Sequence, residues 1–238
     1  IGNGAYKHLP DLRNAKEDAN AISEILQRKY GFAVTKLIDA TREQVFRALQ
    51  RFRREMTSKD NFLLYFAGHG VMDKELEIGY WQPVDAESGS AANWISTQYI
   101  TQQLKAFKSR NAMVIADSCY SASVFRGDLE ESMLLSDDPE ILRALLEQKT
   151  RVAISSGGLE PVPDSIGNGQ NSVFAESFLR ILANNQKPLA GFKLFSGVQE
   201  IVIPVTASIG LSQRPQYAPL FESGHEGGDF LFIPKAEM

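Results

Sequence analysis

Asn111–Ala122, NAMVIADSCYSA, is a run of apolar, partly β-branched residues that ends abruptly in small polar ones. This pattern is typical of a buried parallel strand whose carboxyl end opens into a site. The only cysteine of the chain, Cys119, lies at the break. A second stretch, Asn61–Gly70 (NFLLYFAGHG), has the same form and carries His69 at its end, 50 residues before Cys119. Because the carboxyl ends of parallel strands meet at one edge of a sheet, we expect His69 and Cys119 to share one crevice.

The bulk composition excludes several function classes. Of 238 residues, 43% are hydrophobic and 23% charged, which is ordinary for a globular protein. The net charge of −4 gives no basic footprint for nucleic acid, and no apolar run approaches the roughly 18 residues that span a membrane. A single cysteine cannot form an internal disulfide, so we expect a reducing, cytoplasmic location and a thiol that is available for chemistry.

Apolar periodicity predicts helices that alternate with strands. The segment 193–209 is ambiguous, because its Val and Ile content suits a strand while its spacing is helical; we predict a helix. A Thr-x-x-Gln capping box at Thr41 and a glycine stop at Gly31 mark two helix ends. The predicted helices cover 12–30, 41–56, about 97–107, 139–148, 172–184 and 193–209, and further strands cover 32–38, 151–156 and 229–233, with a hairpin near 78–84.

This alternation implies an α/β fold: a mostly parallel sheet with helices on both faces. There is no internal repeat and no linker, so we predict one domain over residues 1–238. The opening IGNGAY is typical of the end of a strand entering a loop, which predicts that the first strand is truncated at the N-terminus.

The Cys–His pair fits nucleophilic catalysis. A thiol needs a neighbouring base to become a thiolate, and His69 could take that proton and return it to a leaving amine. Gly70 could present its backbone N–H to a developing oxyanion, together with the N–H of Cys119. The alternative is an inert buried cysteine and a histidine satisfied in the core. Two matched strand ends favour the catalytic interpretation.

The segments YFAGHG (65–70) and DSCYSA (117–122) resemble the His and Cys motifs of the caspase-like cysteine peptidases, and most closely those of the metacaspases and their bacterial, orthocaspase-type relatives. The resemblance extends over essentially the whole chain. It implies a caspase-like three-layer sandwich around a roughly six-stranded sheet, and a cysteine endopeptidase with a Cys–His dyad. Tyr120 and Ala122 depart from the metacaspase pattern, which has His and Gly there.

The same resemblance implies the substrate preference. Asp117, two residues before Cys119, matches an acidic specificity position of metacaspases, and AKEDA supplies Asp18 as the second acid. Two buried carboxylates are costly unless a cation joins them, so we expect cleavage after Arg, then Lys. Asp18 could instead be an exposed helix residue and Asp117 a strand-end cap; Glu160 and Asp164 are alternative pocket acids.

Two features after Cys119 concern regulation: an arginine that could be a self-cleavage site and a cluster of acidic residues. Arg126 is the expected self-cleavage site if the preference for basic residues holds, although an ordinary surface arginine is an equal alternative. The resemblance to metacaspases, many of which Ca²⁺ activates, suggests an acidic cluster as a place for this ion. The cluster lacks the ordered spacing of a calcium loop, so we favour a solvated acidic loop and predict no cofactor and no metal site. The cluster comprises Asp128, Glu130, Glu131, Asp137 and Asp138.

The resemblance implies limited proteolysis by a regulated bacterial effector acting on protein or peptide substrates with a basic residue at the cleaved bond. The alternative is a latent or non-catalytic caspase-like scaffold, a signalling domain of a larger protein that a regulatory domain or partner protein activates.

Overall fold

Strands and helices alternate along most of the chain. The computed structural model describes residues 1–118, 135–157 and 169–235. The α-helices in these residues are α1 (Ala15–Tyr30), α2 (Arg42–Glu55), α3 (Thr97–Ala106), α4 (Pro139–Glu147), α5 (Val173–Asn184) and α6 (Gly191–Ala207), and a short 3-10 helix covers Ala91–Asn93. The strands are β1 (Asn61–Ala67), β2 (Gly70–Asp73), β3 (Ile78–Trp81), β4 (Ile95–Ser96), β5 (Asn111–Asp117), β6 (Thr150–Ser155), β7 (Leu189–Ala190), β8 (Gln216–Pro219) and β9 (Leu231–Phe232).

The central sheet has the order β1-β5-β6-β8. The first three strands are parallel, and β8 is an antiparallel edge strand. Beyond β1, Gly2 forms parallel bridges to Ala67 and to Ile38, so two further segments continue the sheet. The sheet is therefore mostly parallel, as expected, with four strands in the described residues rather than the roughly six expected; the remaining pairing beyond β1 consists of the two isolated bridges of Gly2.

Each face of the sheet carries its own hydrophobic core, because alternate side chains of a strand point to opposite faces. Met113 and Ile115 of β5 pack into the cluster that contains α1, α4, α5 and α6. Ala112 and Val114 of the same strand pack into the cluster formed with α2 and α3. The result is the predicted three-layer α/β sandwich, with β5 buried along its whole length.

Two predicted helix ends are confirmed. Gly31 ends α1 in the left-handed region at φ 75°, and its N–H donates to the Leu26 carbonyl. The Thr41 hydroxyl accepts from the Gln44 N–H while the Gln44 side chain bonds back to the Thr41 backbone, which completes the capping box. The helix predicted over 193–209 is confirmed as α6, with Pro204 inside it.

The short strands differ from prediction. Residues 32–38 form no extended strand, because their described pairing is limited to Ile38 with the single residue Gly2. The hairpin lies at 70–81 rather than 78–84, because the Asp73 carboxylate accepts from two turn N–H groups, those of Glu75 and Leu76.

The predicted strand 229–233 is reduced to β9, which pairs with β7 outside the central sheet. In the described residues, no helix is long and apolar enough to cross a membrane.

Candidate active site

The candidate site lies where β1 and β5 end. Their register runs from Asn61 opposite Asn111 to Ala67 opposite Asp117, an offset of 50 residues throughout (111 − 61 and 117 − 67). The Gly68 N–H still donates to the Asp117 carbonyl at 3.4 Å. His69 follows directly and is half-buried. Cys119, like Arg126, Glu160 and Asp164, lies outside the described residues; the offset between His69 and Cys119 is the same 50 residues.

The His69 ring is held by the loop that precedes α1. Its Nε2 lies 2.8 Å from the carbonyl oxygen of Pro10. A carbonyl oxygen only accepts, so Nε2 carries a proton, and Nδ1 holds the lone pair of the neutral ring. The ring also lies against Tyr6, with centroids 4.6 Å apart and an interplanar angle of 53°. His69 is therefore fixed in one orientation, with Nδ1 as its basic nitrogen.

The Tyr6 hydroxyl fixes the His69 backbone as well. It accepts from the His69 N–H at 2.8 Å and donates to the Gln82 carbonyl at 3.1 Å. The Gln82 N–H donates directly to the His69 carbonyl at 2.9 Å. His69 and Gln82 are thus an antiparallel pair in which one of the two backbone hydrogen bonds is direct and the other passes through the Tyr6 hydroxyl. Gly68 leaves room for this hydroxyl, since a Cβ there would lie 2.8 Å from the Tyr6 oxygen.

Gly70 begins β2 opposite Trp81. Because the hydrogen-bonded pair at this end of the hairpin is His69 with Gln82, Gly70 and Trp81 form the alternate, non-hydrogen-bonded kind of pair. The Gly70 N–H consequently points away from β3.

Asp18 and Asp117 meet beneath this edge of the sheet. Both are buried, with 2% and 7% of their surface exposed, so Asp18 is not the exposed helix residue of the alternative interpretation. The Ser172 hydroxyl donates to Asp117 Oδ2 at 2.7 Å, and the Ser172 N–H donates to Asp18 Oδ1 at 3.1 Å. The Asn171 amide donates to the same Asp18 oxygen at 2.8 Å.

The two carboxylates affect each other electrostatically. Burial, and then the charge of Asp117, raise the pKa of Asp18 well above its usual value, although the N–H donors act in the opposite direction. Tyr65 directs its hydroxyl toward Asp117 at 3.5 Å, and burial with both acids nearby raises the pKa of Tyr65 too. This buried pair of acids favours a bound cation or a retained proton.

The two acids of the predicted acidic cluster that the structure describes, Asp137 and Asp138, make contacts within the protein. Asp137 forms ion pairs with Lys193 at 2.5 Å and Lys187 at 3.3 Å, and Asp138 caps the first turn of α4. The other acids of the cluster, Asp128, Glu130 and Glu131, lie outside the described residues. Within residues 1–118, 135–157 and 169–235, no three potential ligands group together as a metal site.

Comparison with known proteins places this fold in a family. The sequence profile of the caspase domain matches residues 1–221. The chain belongs to the caspase domain family. This membership supports a cysteine peptidase-type function, in agreement with the resemblance of the His and Cys motifs.

Solved structures show the same fold. Caspase-1 from Spodoptera frugiperda superposes with a TM-score of 0.68 at 13% identity, covering 100% of this chain and 89% of that one. Protein GSU0716 from Geobacter sulfurreducens has a TM-score of 0.59 at 19% identity, with 94% of each chain covered. A search of curated protein sequences finds no match.

Sequence reasoning missed four members of the site: Tyr6, Pro10, Asn171 and Ser172. Pro10 acts through its main-chain carbonyl, which no sequence pattern marks. Ser172 had a local signal, since Ser before an apolar helix is a common N-cap, but its contact with Asp117 spans 55 residues.

Proposed function

We propose that this caspase-family chain is an endopeptidase that cleaves proteins in a limited fashion after arginine and, less efficiently, after lysine. The buried pair of carboxylates, Asp18 and Asp117, carries this proposal. Leaving two buried acids without a cation is costly, and a guanidinium offers planar donors that can serve both. A substrate aspartate beside the same two acids would be repelled.

The chemistry assigned to the strand ends is acyl transfer. His69 Nδ1 takes the proton of the Cys119 thiol, and the thiolate attacks the carbonyl carbon of the substrate. The N–H groups of Gly70 and Cys119 stabilise the oxyanion. The imidazolium then protonates the leaving amine, and water hydrolyses the thioester. The Pro10 carbonyl supports this sequence, because it favours the tautomer with its lone pair on Nδ1.

The test is a fluorogenic peptide assay with Arg, Lys and Asp compared at the cleaved position, with and without Ca²⁺. We expect cleavage after Arg, abolished in Cys119→Ala. Asp18→Asn and Asp117→Asn should each lower kcat/KM for the Arg peptide by about 100-fold, because each removes one of the two carboxylates with which the guanidinium would pair. Cleavage after Asp would support peptidase activity but refute the preference for arginine and lysine. No cleavage under any condition would favour the scaffold alternative.

A second assay addresses self-cleavage at Arg126. Incubated wild-type protein should yield two fragments cut after that residue, and Arg126→Gln should remain intact while still cleaving the Arg peptide. Intact wild-type protein that is fully active on peptides would remove Arg126 from the proposal.

A further inference from the structure

Ser172 connects the two acids to the start of a helix. It is 5% exposed and is the N-cap residue of α5, its hydroxyl oxygen accepting from the Ala175 N–H at 3.0 Å. The single proton of that hydroxyl goes to Asp117 Oδ2, and the Ser172 N–H goes to Asp18. One residue therefore uses its main chain for one carboxylate and its side chain for the other.

These contacts fix how the carboxylates face each other. Asn171 and Ser172 both donate to Oδ1 of Asp18, with a longer contact of 3.4 Å from Ser172 N–H to Oδ2. Asp117 receives the Ser172 hydroxyl on Oδ2, toward which Tyr65 also points. The Asn171–Ser172 turn therefore supplies hydrogen bonds to both carboxylates and contributes to the direction in which each one faces.

We propose that Ser172 is a specificity-determining positioning residue, which orients Asp18 and Asp117 for a planar guanidinium and so makes the site prefer arginine to lysine. This inference rests on the proposed function and deepens it. A guanidinium binds with fixed donor directions and is sensitive to the angle between its acceptors. The ammonium of lysine is a compact charge with rotating donors, so it loses less when the acceptors turn.

Substitutions at Ser172 can separate its hydrogen bond to Asp117 from its role as the N-cap of α5. Ser172→Gly removes the hydroxyl but retains most of the capping stability, because glycine is a tolerated N-cap. Ser172→Thr keeps both the hydroxyl and the cap. Ser96→Ala is the matched control, since Ser96 caps α3 through the same kind of bond, 3.1 Å from the Tyr99 N–H, without an acidic partner among its described contacts.

The measurement is kcat and KM for two peptides that differ only in Arg or Lys at the cleaved position, with melting temperatures for every variant. We expect Ser172→Gly to raise KM for the Arg peptide about tenfold, to change kcat less than threefold, and to lower the Arg-to-Lys ratio of kcat/KM at least fivefold. Ser172→Thr should restore the ratio, and Ser96→Ala should leave it unchanged.

The outcomes distinguish the inference from the proposed function. If the wild type prefers Arg and folded Ser172→Gly keeps the same KM and ratio, the inference fails while the proposed function stands. An equal change in Ser96→Ala would also overturn it, since the effect would then be general. If the wild type cleaves neither basic peptide, the proposed function fails and this inference fails with it.

Discussion

The Tyr6 hydroxyl occupies the place of a direct bond between His69 N–H and Gln82 carbonyl. Tyr6 itself is fixed by the bond from its N–H to the Asp11 carboxylate at 2.9 Å. At the scale of single residues, the histidine is therefore positioned jointly by its own strand end, by the hairpin and by the loop before α1. A change in any of these would move the imidazole.

Tyr6→Phe tests this coupling. It leaves a donor on His69 and an acceptor on Gln82 without the hydroxyl between them, and each such loss costs about 1–3 kcal/mol when it is buried. We expect kcat for the Arg peptide to fall about tenfold with a smaller change in KM, and the pH profile of kcat to shift. Tyr80→Phe, on the same hairpin, is the control. An unchanged kcat and pH profile in folded Tyr6→Phe would contradict the coupling.

The site residues predicted from the sequence had two kinds of signal. His69 and Cys119 follow apolar runs that end in small residues, a pattern visible without any structure. Asp117 and Asp18 were predicted from the resemblance to metacaspases. Tyr6 and Asn171 carry no such mark, because their contacts with His69 and Asp18 join residues 63 and 153 positions apart. Only the packed chain brings those groups together.

At the scale of elements, Arg151 joins β6 to the end of α3. It is fully buried, and its guanidinium donates to five backbone carbonyls at 2.7–3.1 Å. Burial lowers the pKa of Arg151 to about 10, so it remains charged at neutral pH. The carbonyls near a helix C-terminus attract a cation. They belong to Leu104, Phe107, Ser109, Arg110 and Thr150.

Replacing this guanidinium should be strongly destabilising. Arg151→Met removes the guanidinium donor from five carbonyls, of which those of Leu104 and Arg110 also accept from a backbone N–H. We expect the substitution to lower the free energy of unfolding by roughly 3–5 kcal/mol. Arg151→Lys should recover only part of that loss, because an ammonium has three donors. Chemical denaturation measures both, beside Arg143→Met on the exposed side of α4. Equal stabilities for Arg151→Met and Arg143→Met would refute this role.

Helices were predicted better than short strands for a physical reason. A helix makes its hydrogen bonds within one segment, so caps such as Thr41 and periodic apolar residues determine it locally. A strand exists only with a partner. The edge strand β8 was missed because Pro215 precedes it and Pro219 is its last residue, and proline is compatible with a strand mainly at an edge.

At the scale of the whole molecule, two buried acids link stability to pH. Burial is the largest cause that raises the pKa of Asp18 to about 8 and that of Asp229 to about 6. Asp229 accepts from the Phe192 and Phe230 N–H groups and from the Tyr217 hydroxyl. Both values exceed the usual value of about 3.9 in an unfolded chain, so the folded state holds protons that the unfolded state has released. These acids therefore make the fold less stable as pH rises through their folded pKa values.

Asp18→Asn isolates the contribution of Asp18 to this pH dependence, which is the larger of the two. An amide accepts the same N–H donors but does not ionise, so the wild type should lose stability relative to the variant by roughly 1 kcal/mol per pH unit from pH 5 to 8, and no further above that. Denaturation at pH 5.5, 6.5, 7.5 and 9 measures the difference. Asp39→Asn is the control, because contacts with Ala5, Gly4 and Lys16 lower the pKa of Asp39 out of this range. A difference independent of pH would contradict the retained proton.

The acceptor for His69 Nε2 is a main-chain oxygen, and this has a consequence for mutational scanning. Every substitution at Pro10 leaves a carbonyl in the chain, so a scan that exchanges side chains one at a time cannot delete this partner. Its importance would appear instead among insertions and deletions between Tyr6 and Asp11, which displace the oxygen. A map of tolerated substitutions would therefore show position 10 as permissive while the length of its loop is constrained.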